Sequence, residues 1–258
     1  MNIRTISSIL LAGSLSSQAA ITTFSANVPT SSGFFTDNGN DFFGIVNTVN
    51  SGNTRTGTLV GGGTFTTAAL SPPVGSLIGR DHDAGDTRSP TVQATWTLTL
   101  PGNANPGTGF SNISFASILA ARQNAWDDET PSPFFRDNII LELFINGSRV
   151  EKRAYEPNGV RVGNGESLAL DTNNDGVGDG LAISESGTAI NFTDPGGAAV
   201  NMVELRGTFS VDDGEVDYWL AGTLSADYDM VPEPSSAFLL GLGSLCLLAR
   251  RSRITVNS

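Results

Sequence analysis

Apolar and polar side chains alternate strictly from Thr91 to Leu100, in the stretch TVQATWTLTL. Successive side chains of a β-strand point to opposite faces of a sheet. The pattern therefore predicts a strand with one face on a core and the other in water. The predicted core-facing residues are Val92, Ala94, Trp96, Leu98 and Leu100.

A β-hairpin is predicted about the pair Asn146-Gly147. Asn and Gly readily adopt the positive φ angles that a two-residue type I′ turn requires. A more polar segment follows the pair, as expected for a returning strand. The alternating apolar residues that lead into the turn are Ile139, Leu141, Leu143 and Ile145.

A second hairpin is predicted about Asp213-Gly214, near the end of the strand-rich part of the chain. Aspartate followed by glycine favours a tight turn between two strands. The alternating apolar residues before the turn are Val203, Leu205, Phe209 and Val211, and those after it are Val216, Tyr218, Leu220 and Leu224.

Short strands dominate the rest of the chain. Weaker strands are predicted over residues 42–49, 56–70 and 110–119, and no window from 20 to 230 shows a long apolar stripe at helical spacing. Many short strands joined by Gly, Pro, Asn and Asp turns are typical of an all-β fold. We therefore predict an antiparallel β-sandwich, jelly-roll-like, between an N-terminal signal peptide and a short C-terminal hydrophobic helix.

The first 19 residues have the pattern of a signal peptide. Arg4 precedes a short apolar stretch over residues 9–12, and the small residues Ser17 and Ala19 fit the −3 and −1 positions of a cleavage site. The predicted organisation is a signal peptide over residues 1–19, a β-sandwich body over 20–230 and a sorting or anchor segment over 231–253.

The body is strongly acidic. The whole chain has a formal net charge of −12. Four of its 14 basic residues and one of its 26 acidic residues lie in the two terminal segments, so the body keeps 10 basic and 25 acidic residues. Such a surface repels phosphate backbones, and we predict no binding of nucleic acid.

Cys246 is the only cysteine, and it lies in the C-terminal apolar run. The body therefore has no disulfide, no thiolate zinc site and no cysteine nucleophile. Its stability must come from core packing, with help from a metal ion if one is bound.

The stretch DTNNDGVGDG, over residues 171–180, predicts a calcium loop. Oxygen-bearing residues alternate before a glycine, in the order that lets side chains turn inward around Ca²⁺. The twelfth position is Ala182, so the bidentate glutamate of an EF-hand is missing. Over nine residues the stretch resembles the calcium loops of dockerin and thrombospondin type 3 repeats. The alternative is a surface turn rich in Asp, Asn and Gly. The predicted ligands are the side chains of Asp171, Asn173, Asp175 and Asp179 and the backbone carbonyl of Val177.

Two other clusters contain groups that could take part in catalysis. His82 lies between Asp81 and Asp83, but neighbours on an extended strand point to opposite sides, so an exposed polar loop is the preferred interpretation. Trp126 precedes three carboxylates at residues 127–129, which a glycoside hydrolase could use across a cleft. A solvated loop beside a core tryptophan is preferred here, and no catalytic residue is predicted.

The C-terminal segment VPEPSSAFLLGLGSLCLLARRSR combines three features in a fixed order. Pro232 and Pro234 keep Glu233 in an extended backbone. The apolar run over residues 237–249 has 13 residues, and as a helix it would span about 20 Å, short of the about 30 Å hydrocarbon core. The arginines after it favour a cytoplasmic end.

This order closely resembles the PEP-CTERM sorting signal. The resemblance rests on Pro232, Glu233 and Pro234, the leucine-rich run, and Arg250 and Arg251. It implies a bacterial exported protein whose tail is recognised and cut by a membrane enzyme of the exosortase family. It also implies an association with exopolysaccharide and the extracellular matrix.

These observations favour a non-enzymatic cell-surface or matrix protein with a structural or adhesive body. Its predicted partners are an exosortase-type enzyme, the membrane through the C-terminal segment, and extracellular polysaccharide. The alternative is a carbohydrate-binding or carbohydrate-active protein that acts on exopolysaccharide.

Overall fold

The computed structural model describes residues 17–22, 42–50, 54–59, 63–68, 70–80, 91–126, 137–163, 165–211 and 217–230. These residues form strands and loops and no helix. Strands β1 to β7 are Ser17–Thr22, Phe42–Val49, Arg55–Leu59, Thr64–Thr67, Leu77–Arg80, Thr91–Thr99 and Ser111–Ala121. Strands β8 to β13 are Asn138–Ile145, Ser148–Pro157, Leu168–Asp171, Thr188–Gly196, Met202–Ser210 and Asp217–Asp229.

The described strands form two antiparallel sheets. The eight-stranded sheet has the order β11-β7-β13-β5-β2-β3-β4, and β1 pairs with the second half of β13. The five-stranded sheet has the order β10-β9-β8-β12-β6. The prediction of an all-β antiparallel sandwich is confirmed.

Aromatic side chains from both sheets meet in the core between them. Phe209 of β12 stacks on Tyr218 of β13, with ring centroids 5.0 Å apart and an interplanar angle of 5°. Trp96 of β6 lies 5.4 Å from Phe115 of β7. Offset aromatic pairs add to the stabilisation that burial alone provides. The two sheets are thus held together by specific ring contacts as well as by apolar burial.

Local pattern predicted several strands correctly. β2 spans Phe42–Val49 as predicted, and β6 ends at Thr99, one residue before the predicted end. The turn between β8 and β9 has φ angles of 49° at Asn146 and 80° at Gly147, as the predicted hairpin requires. These elements depend on neighbouring residues only, so the sequence pattern was sufficient.

The second predicted hairpin is wrong. β12 pairs with β6 and β8 in the five-stranded sheet, whereas β13 pairs with β7, β5 and β1 in the eight-stranded sheet. The chain therefore crosses from one sheet to the other between Val211 and Asp217. Both strands bury alternate residues. Two strands show this alternation whether they are hydrogen-bonded neighbours in one sheet or face each other across the core. The pattern therefore does not tell the two arrangements apart.

Strand β1 covers the predicted signal-peptide cleavage position. It begins at Ser17, two residues before Ala19, and pairs with β13 from Ser17 opposite Asp229 to Thr22 opposite Leu224. The domain boundaries remain predictions. The C-terminal segment lies outside the described residues, and within the described part of the chain there is no helix with the length and hydrophobicity to cross a membrane.

Candidate functional site

The Asp171 carboxylate organises the loop that follows β10. Its Oδ1 accepts hydrogen bonds from the backbone N–H of Asn173 at 3.2 Å and of Asn174 at 2.7 Å. Its Oδ2 accepts one from the N–H of Gly176 at 3.0 Å. Asp171 is only 7% exposed. One buried carboxylate therefore fixes the backbone of the next five residues.

Two further turns of the same kind follow along the loop. The side-chain Oδ1 of Asn173 accepts a hydrogen bond from the N–H of Asp175, and the Oδ1 of Asp175 accepts one from the N–H of Val177, both at 2.9 Å. The Nδ2 of Asn173 also donates to Oδ2 of Asp175 at 3.0 Å. Asp and Asn commonly make this contact with the residue two positions on. Asp171, Asn173 and Asp175, three of the predicted ligands, thus each form a turn of the same kind.

Asp179 closes the loop. Its Oδ1 accepts hydrogen bonds from the N–H of Thr172 at 2.8 Å and from the Thr172 hydroxyl at 2.7 Å. These hydrogen bonds to the carboxylate lower the pKa of Asp179 below its usual value. Asp179 is therefore ionised at neutral pH while it joins the two ends of the loop.

The donor chemistry of this loop suits a hard cation. All five predicted ligands offer oxygen atoms, which Ca²⁺ prefers, and φ angles of 59° at Asn174 and 89° at Gly176 bend the backbone sharply. The described residues contain no group of three or more His, Cys, Asp and Glu side chains placed to hold a metal ion. The loop fits calcium in its donor set, and the ligand assignment stays a prediction.

The outer face of the five-stranded sheet presents an aromatic and cationic pair. Cζ of Arg206, on β12, lies 4.0 Å from the ring centroid of Phe144, on β8. Arg206 is exposed, and Phe144 is half-buried. A guanidinium at this distance is attracted to the face of the ring.

Charged side chains surround this pair. Arg206 forms an ion pair of 2.6 Å with Glu204, and Arg149 forms one of 2.7 Å with Glu142. Lys152, the only lysine of the chain, is exposed directly opposite Glu142 in the next strand. We call this surface, defined by residues 142, 144, 149, 152, 204 and 206, the sheet-face patch. The sheet-face patch carries positively and negatively charged side chains beside the Phe144 ring.

The sheet-face patch is not contained in any local sequence pattern. Phe144 occupies the outward phase of β8, two residues after Glu142, so the alternation alone could have placed an aromatic ring on the solvent side. Arg206 lies in a distant strand, and only the register of β8 with β12 brings it close.

Asp217 is a buried carboxylate at the start of β13. Its exposure is 2%, and its oxygens lie 3.7 Å from Nε of Arg80 and 3.6 Å from a terminal nitrogen of Arg122. Burial raises the pKa of Asp217 above its usual value, and the two guanidinium groups offset only part of that effect. The carboxylate joins the ends of β5, β7 and β13.

The other predicted clusters lie mostly outside the described residues. His82 and its neighbours do so, as do Asp127, Asp128 and Glu129. Trp126 is fully buried, donates a hydrogen bond from Nε1 to the carbonyl of Arg122 at 2.8 Å, and contributes to the core. This tryptophan is a core residue, as preferred from the sequence.

An apolar cavity of about 440 Å³ opens at the eight-stranded sheet. It is bounded by β2, β5 and β13 and by Trp96 from the opposite sheet. The lining residues are Ile45, Val74, Gly75, Leu77, Trp96, Leu220, Ala221, Gly222 and Thr223. None of these side chains titrates near neutral pH, so the cavity is lined without acid or base side chains.

Residues 231–253 match the sequence profile of the PEP-CTERM protein-sorting motif. The chain carries a PEP-CTERM sorting motif. The match covers the proline-flanked glutamate, the apolar run and the arginines on which the resemblance was based. The PEP-CTERM motif begins at Val231, immediately after Met230, which forms an isolated bridge with Ala104. The motif is therefore joined directly to the end of the sandwich.

Comparisons over the body are less specific than the PEP-CTERM match. No curated protein matches the chain. One similar solved structure is TmCBM61 in complex with beta-1,4-galactotriose, with 6% identity, a TM-score of 0.29, and coverage of 58% of this chain and 68% of that chain. Another is the carbohydrate-binding module CBM36 in complex with calcium and xylotriose, with 11% identity, a TM-score of 0.23, and coverage of 57% and 87%. Neither score assigns a ligand to this chain.

Proposed function

We propose that this chain is an exported cell-surface or matrix protein whose β-sandwich body is non-enzymatic and has a structural or adhesive role. The observation that carries the proposal is the PEP-CTERM motif at residues 231–253, joined without a spacer to β13. An exosortase-type enzyme recognises the tail, and the tail holds the body at the inner membrane until it is cut.

The chemistry of the tail supports brief anchoring. Its apolar run of 13 residues is short for a membrane of ordinary thickness, and such a segment crosses only by recruiting its flanks or by thinning the bilayer. The arginines hold the far end on the cytoplasmic side, and the body lies outside. The extended Pro-Glu-Pro segment is then accessible just before the membrane.

Intact-mass spectrometry of the native protein tests the sorting proposal. We expect a mass that lacks the segment containing Cys246, Arg250 and Arg251, because cleavage near Glu233 removes it. The replacement Glu233→Ala is the matched variant, and it should retain the full tail. A wild-type mass that still includes Cys246 and the arginines would contradict processing.

We further propose that the loop after β10 binds Ca²⁺ in a structural role, through Asp171, Asn173, Asp175, Val177 and Asp179. The hydrogen bonds of the loop support this assignment, because they fix the positions of the Asp171 and Asp175 carboxylates. When bound, calcium would supply positive charge that offsets repulsion between the carboxylates.

Carbohydrate binding is the second candidate function, and the sheet-face patch favours it. An aromatic ring beside charged and hydrogen-bonding side chains can stack on a sugar ring while its neighbours bind hydroxyl or carboxylate groups. Arg206 covers the face of the Phe144 ring at 4.0 Å, so a sugar stacks on this ring when the guanidinium turns aside and binds the sugar's hydroxyl or carboxylate groups. Extracellular polysaccharide is therefore the proposed partner of this face.

Glycan-array binding of the mature protein tests this second candidate. We expect Phe144→Ala to weaken binding roughly tenfold, near the lower end of the about 1–3 kcal/mol that one aromatic ring contributes when it stacks on a nucleic-acid base. The control is Val160→Ala, which removes an exposed apolar side chain from a different surface. Equal binding by the two variants would rule out the sheet-face patch as the sugar site.

A further inference from the structure

The pairing of β13 is interrupted on the side where β5 and β1 lie. β5 pairs with residues 217–220 of this strand, and β1 pairs with residues 224–229. Within the described part of the chain, no strand pairs with residues 221–223 on that side. We call the opening beside these residues the sheet window. The cavity of about 440 Å³ lies at the sheet window, because residues 220–223 all line it.

The sheet window leaves backbone groups of a central strand available to a ligand. Each residue of an antiparallel strand directs its N–H and C=O to one neighbouring strand, and the next residue directs them to the other. At least one of the residues 221–223 therefore points both groups into the opening. Among the described residues, these three pair only with β7, on the opposite side. A donor and an acceptor thus lie together at the cavity wall, as they would for a β-strand partner.

The floor of the cavity is apolar and extends to the opposite sheet. Leu77 and Leu220 line it with 1% exposure each, and Trp96 lines it from β6 with the same exposure. Gly222 shares the inward phase of Leu220, and a Cβ there would lie 2.6 Å from the Phe115 ring. Only glycine fits beside that ring, so no side chain fills the sheet window from this position.

The loop between β4 and β5 forms another wall of the cavity and is held in a fixed shape. The N–H of Gly75 donates to the carbonyl of Val46 at 2.8 Å, and the N–H of Val46 donates to the carbonyl of Ser76 at 3.0 Å. Nε of the buried Arg55 donates to the carbonyl of Pro72 at 2.7 Å. This wall is therefore preformed, and a ligand binds without the entropic cost of ordering it.

The mouth of the cavity is exposed and uncharged. Its residues are Val74, Gly75 and Thr223, and no lining side chain carries a charge. An ion placed there would lose hydration without gaining a partner of opposite charge. β5 and β1 close the sheet window at its two ends, so a long peptide strand cannot add to β13 at this point. The cavity therefore suits a small uncharged molecule.

We propose that the sheet window binds a small uncharged aromatic amide. The ring contacts Leu77, Leu220 and Trp96 at the floor, where packing against an aromatic side chain is favourable. The amide offers a donor and an acceptor, which match the N–H and C=O of β13. The cavity of about 440 Å³ lies within the usual range of small-molecule pockets, about 300–1,000 Å³. This site belongs to the eight-stranded sheet and goes beyond the sorting, calcium and polysaccharide proposals.

A sugar ring suits this cavity less well than an aromatic amide does. Sugars carry hydroxyl groups around the whole ring, and those placed against Ile45, Leu77 and Leu220 would lose their hydrogen bonds to water. An aromatic amide has its polar atoms at one end, so they stay at the mouth. The ligand class therefore differs from the polysaccharide proposed for the sheet-face patch.

Isothermal titration calorimetry of the full chain with 2-naphthamide tests the proposal. 2-Naphthoate has nearly the same shape with a negative charge, and methyl β-glucoside represents the sugars. The variant Thr223→Phe places a ring at the mouth of the cavity. The matched control is Thr193→Phe, because Thr193 is an exposed residue on the same face of the sheet and does not line the cavity. Both variants keep the sorting tail, so any binding of the probe to the tail is the same in each.

We expect 2-naphthamide to bind the wild-type protein and Thr193→Phe with equal affinity. It should bind Thr223→Phe roughly tenfold more weakly, because the new ring clashes with the ligand at the mouth. 2-Naphthoate should bind the wild-type protein roughly tenfold more weakly than the amide, because its charge is desolvated without a partner. Equal affinity of the two variants for the amide, or no binding by the wild-type protein, would overturn the site. Binding of 2-naphthoate or methyl β-glucoside at least as tight as that of the amide would overturn the ligand class.

Thiol labelling gives a second measurement that does not depend on the phenylalanine variants. Cys246→Ser removes the only native thiol, and Thr223→Cys or Thr193→Cys adds one at an exposed position. We expect excess 2-naphthamide to slow the reaction of an uncharged maleimide at position 223 and to leave the rate at position 193 unchanged. If the rate at position 223 did not change, or if both rates fell equally, the amide would not occupy the sheet window.

Discussion

Replacement of Phe209 by alanine should lower the free energy of unfolding by about 3–5 kcal/mol, the usual cost of removing a fully buried phenylalanine. Phe209 has no exposed surface. Its ring stacks on Tyr218 at 5.0 Å and lies 5.9 Å from Phe43, both of which belong to the opposite sheet. The substitution therefore opens a cavity where the two sheets meet.

Urea unfolding followed by tryptophan fluorescence measures this change. The matched control is Thr208→Val, which alters the next residue of the same strand on the outer face and keeps a β-branched side chain. It should change the free energy of unfolding by less than about 0.5 kcal/mol, as most surface substitutions do. If Phe209→Ala lowered the free energy of unfolding as little as the control does, the two sheets would not pack through this ring.

Calcium should raise the melting temperature of the wild-type protein, and the double replacement Asp171→Ala with Asp175→Ala should abolish that rise. A ligand at about 100 times its dissociation constant stabilises the native state by about 2.7 kcal/mol. Both carboxylates belong to the loop after β10, where they accept backbone hydrogen bonds from Asn174 and Val177. Differential scanning calorimetry in calcium and in chelator measures the two shifts.

The double variant Asp227→Asn with Asp229→Asn is the control for the loss of two negative charges. These residues lie in β13, remote in sequence from the loop, and the amide oxygen can still accept the hydrogen bond that Asn112 donates to Asp227 at 2.9 Å. The control should keep the calcium-dependent rise. If calcium raised the melting temperature of the wild-type protein and of the Asp171 and Asp175 double variant equally, the loop would be an ordinary surface turn and not a calcium site.

The parts of the fold that sequence predicted are those that local residues determine. Asn146 and Gly147 have positive φ angles, which these two residue types adopt readily without help from distant residues, so their hairpin was predictable. The partners of β12 and β13 depend on strands far away in the sequence, and the alternation of Phe209 or Tyr218 does not distinguish a neighbour in the sheet from one across the core.

The same distinction applies to the candidate sites. The Asp171 loop and the sorting motif occupy consecutive residues, and both were found from spacing and residue type. The contact between Phe144 and Arg206 depends on the pairing of β8 with β12, and no local pattern contains it. Asp217 likewise meets Arg80 and Arg122 only because three strand ends come together.

The central position of β13 has a mechanical consequence. Tension on the tail acts at Met230 and runs lengthwise along a strand that is paired with β7 on one side and with β5 and β1 on the other. Such a load shears the flanking hydrogen bonds together instead of opening them one at a time. Resistance to forced unfolding is governed by the unfolding barrier, and this geometry raises that barrier for a body pulled through its tail.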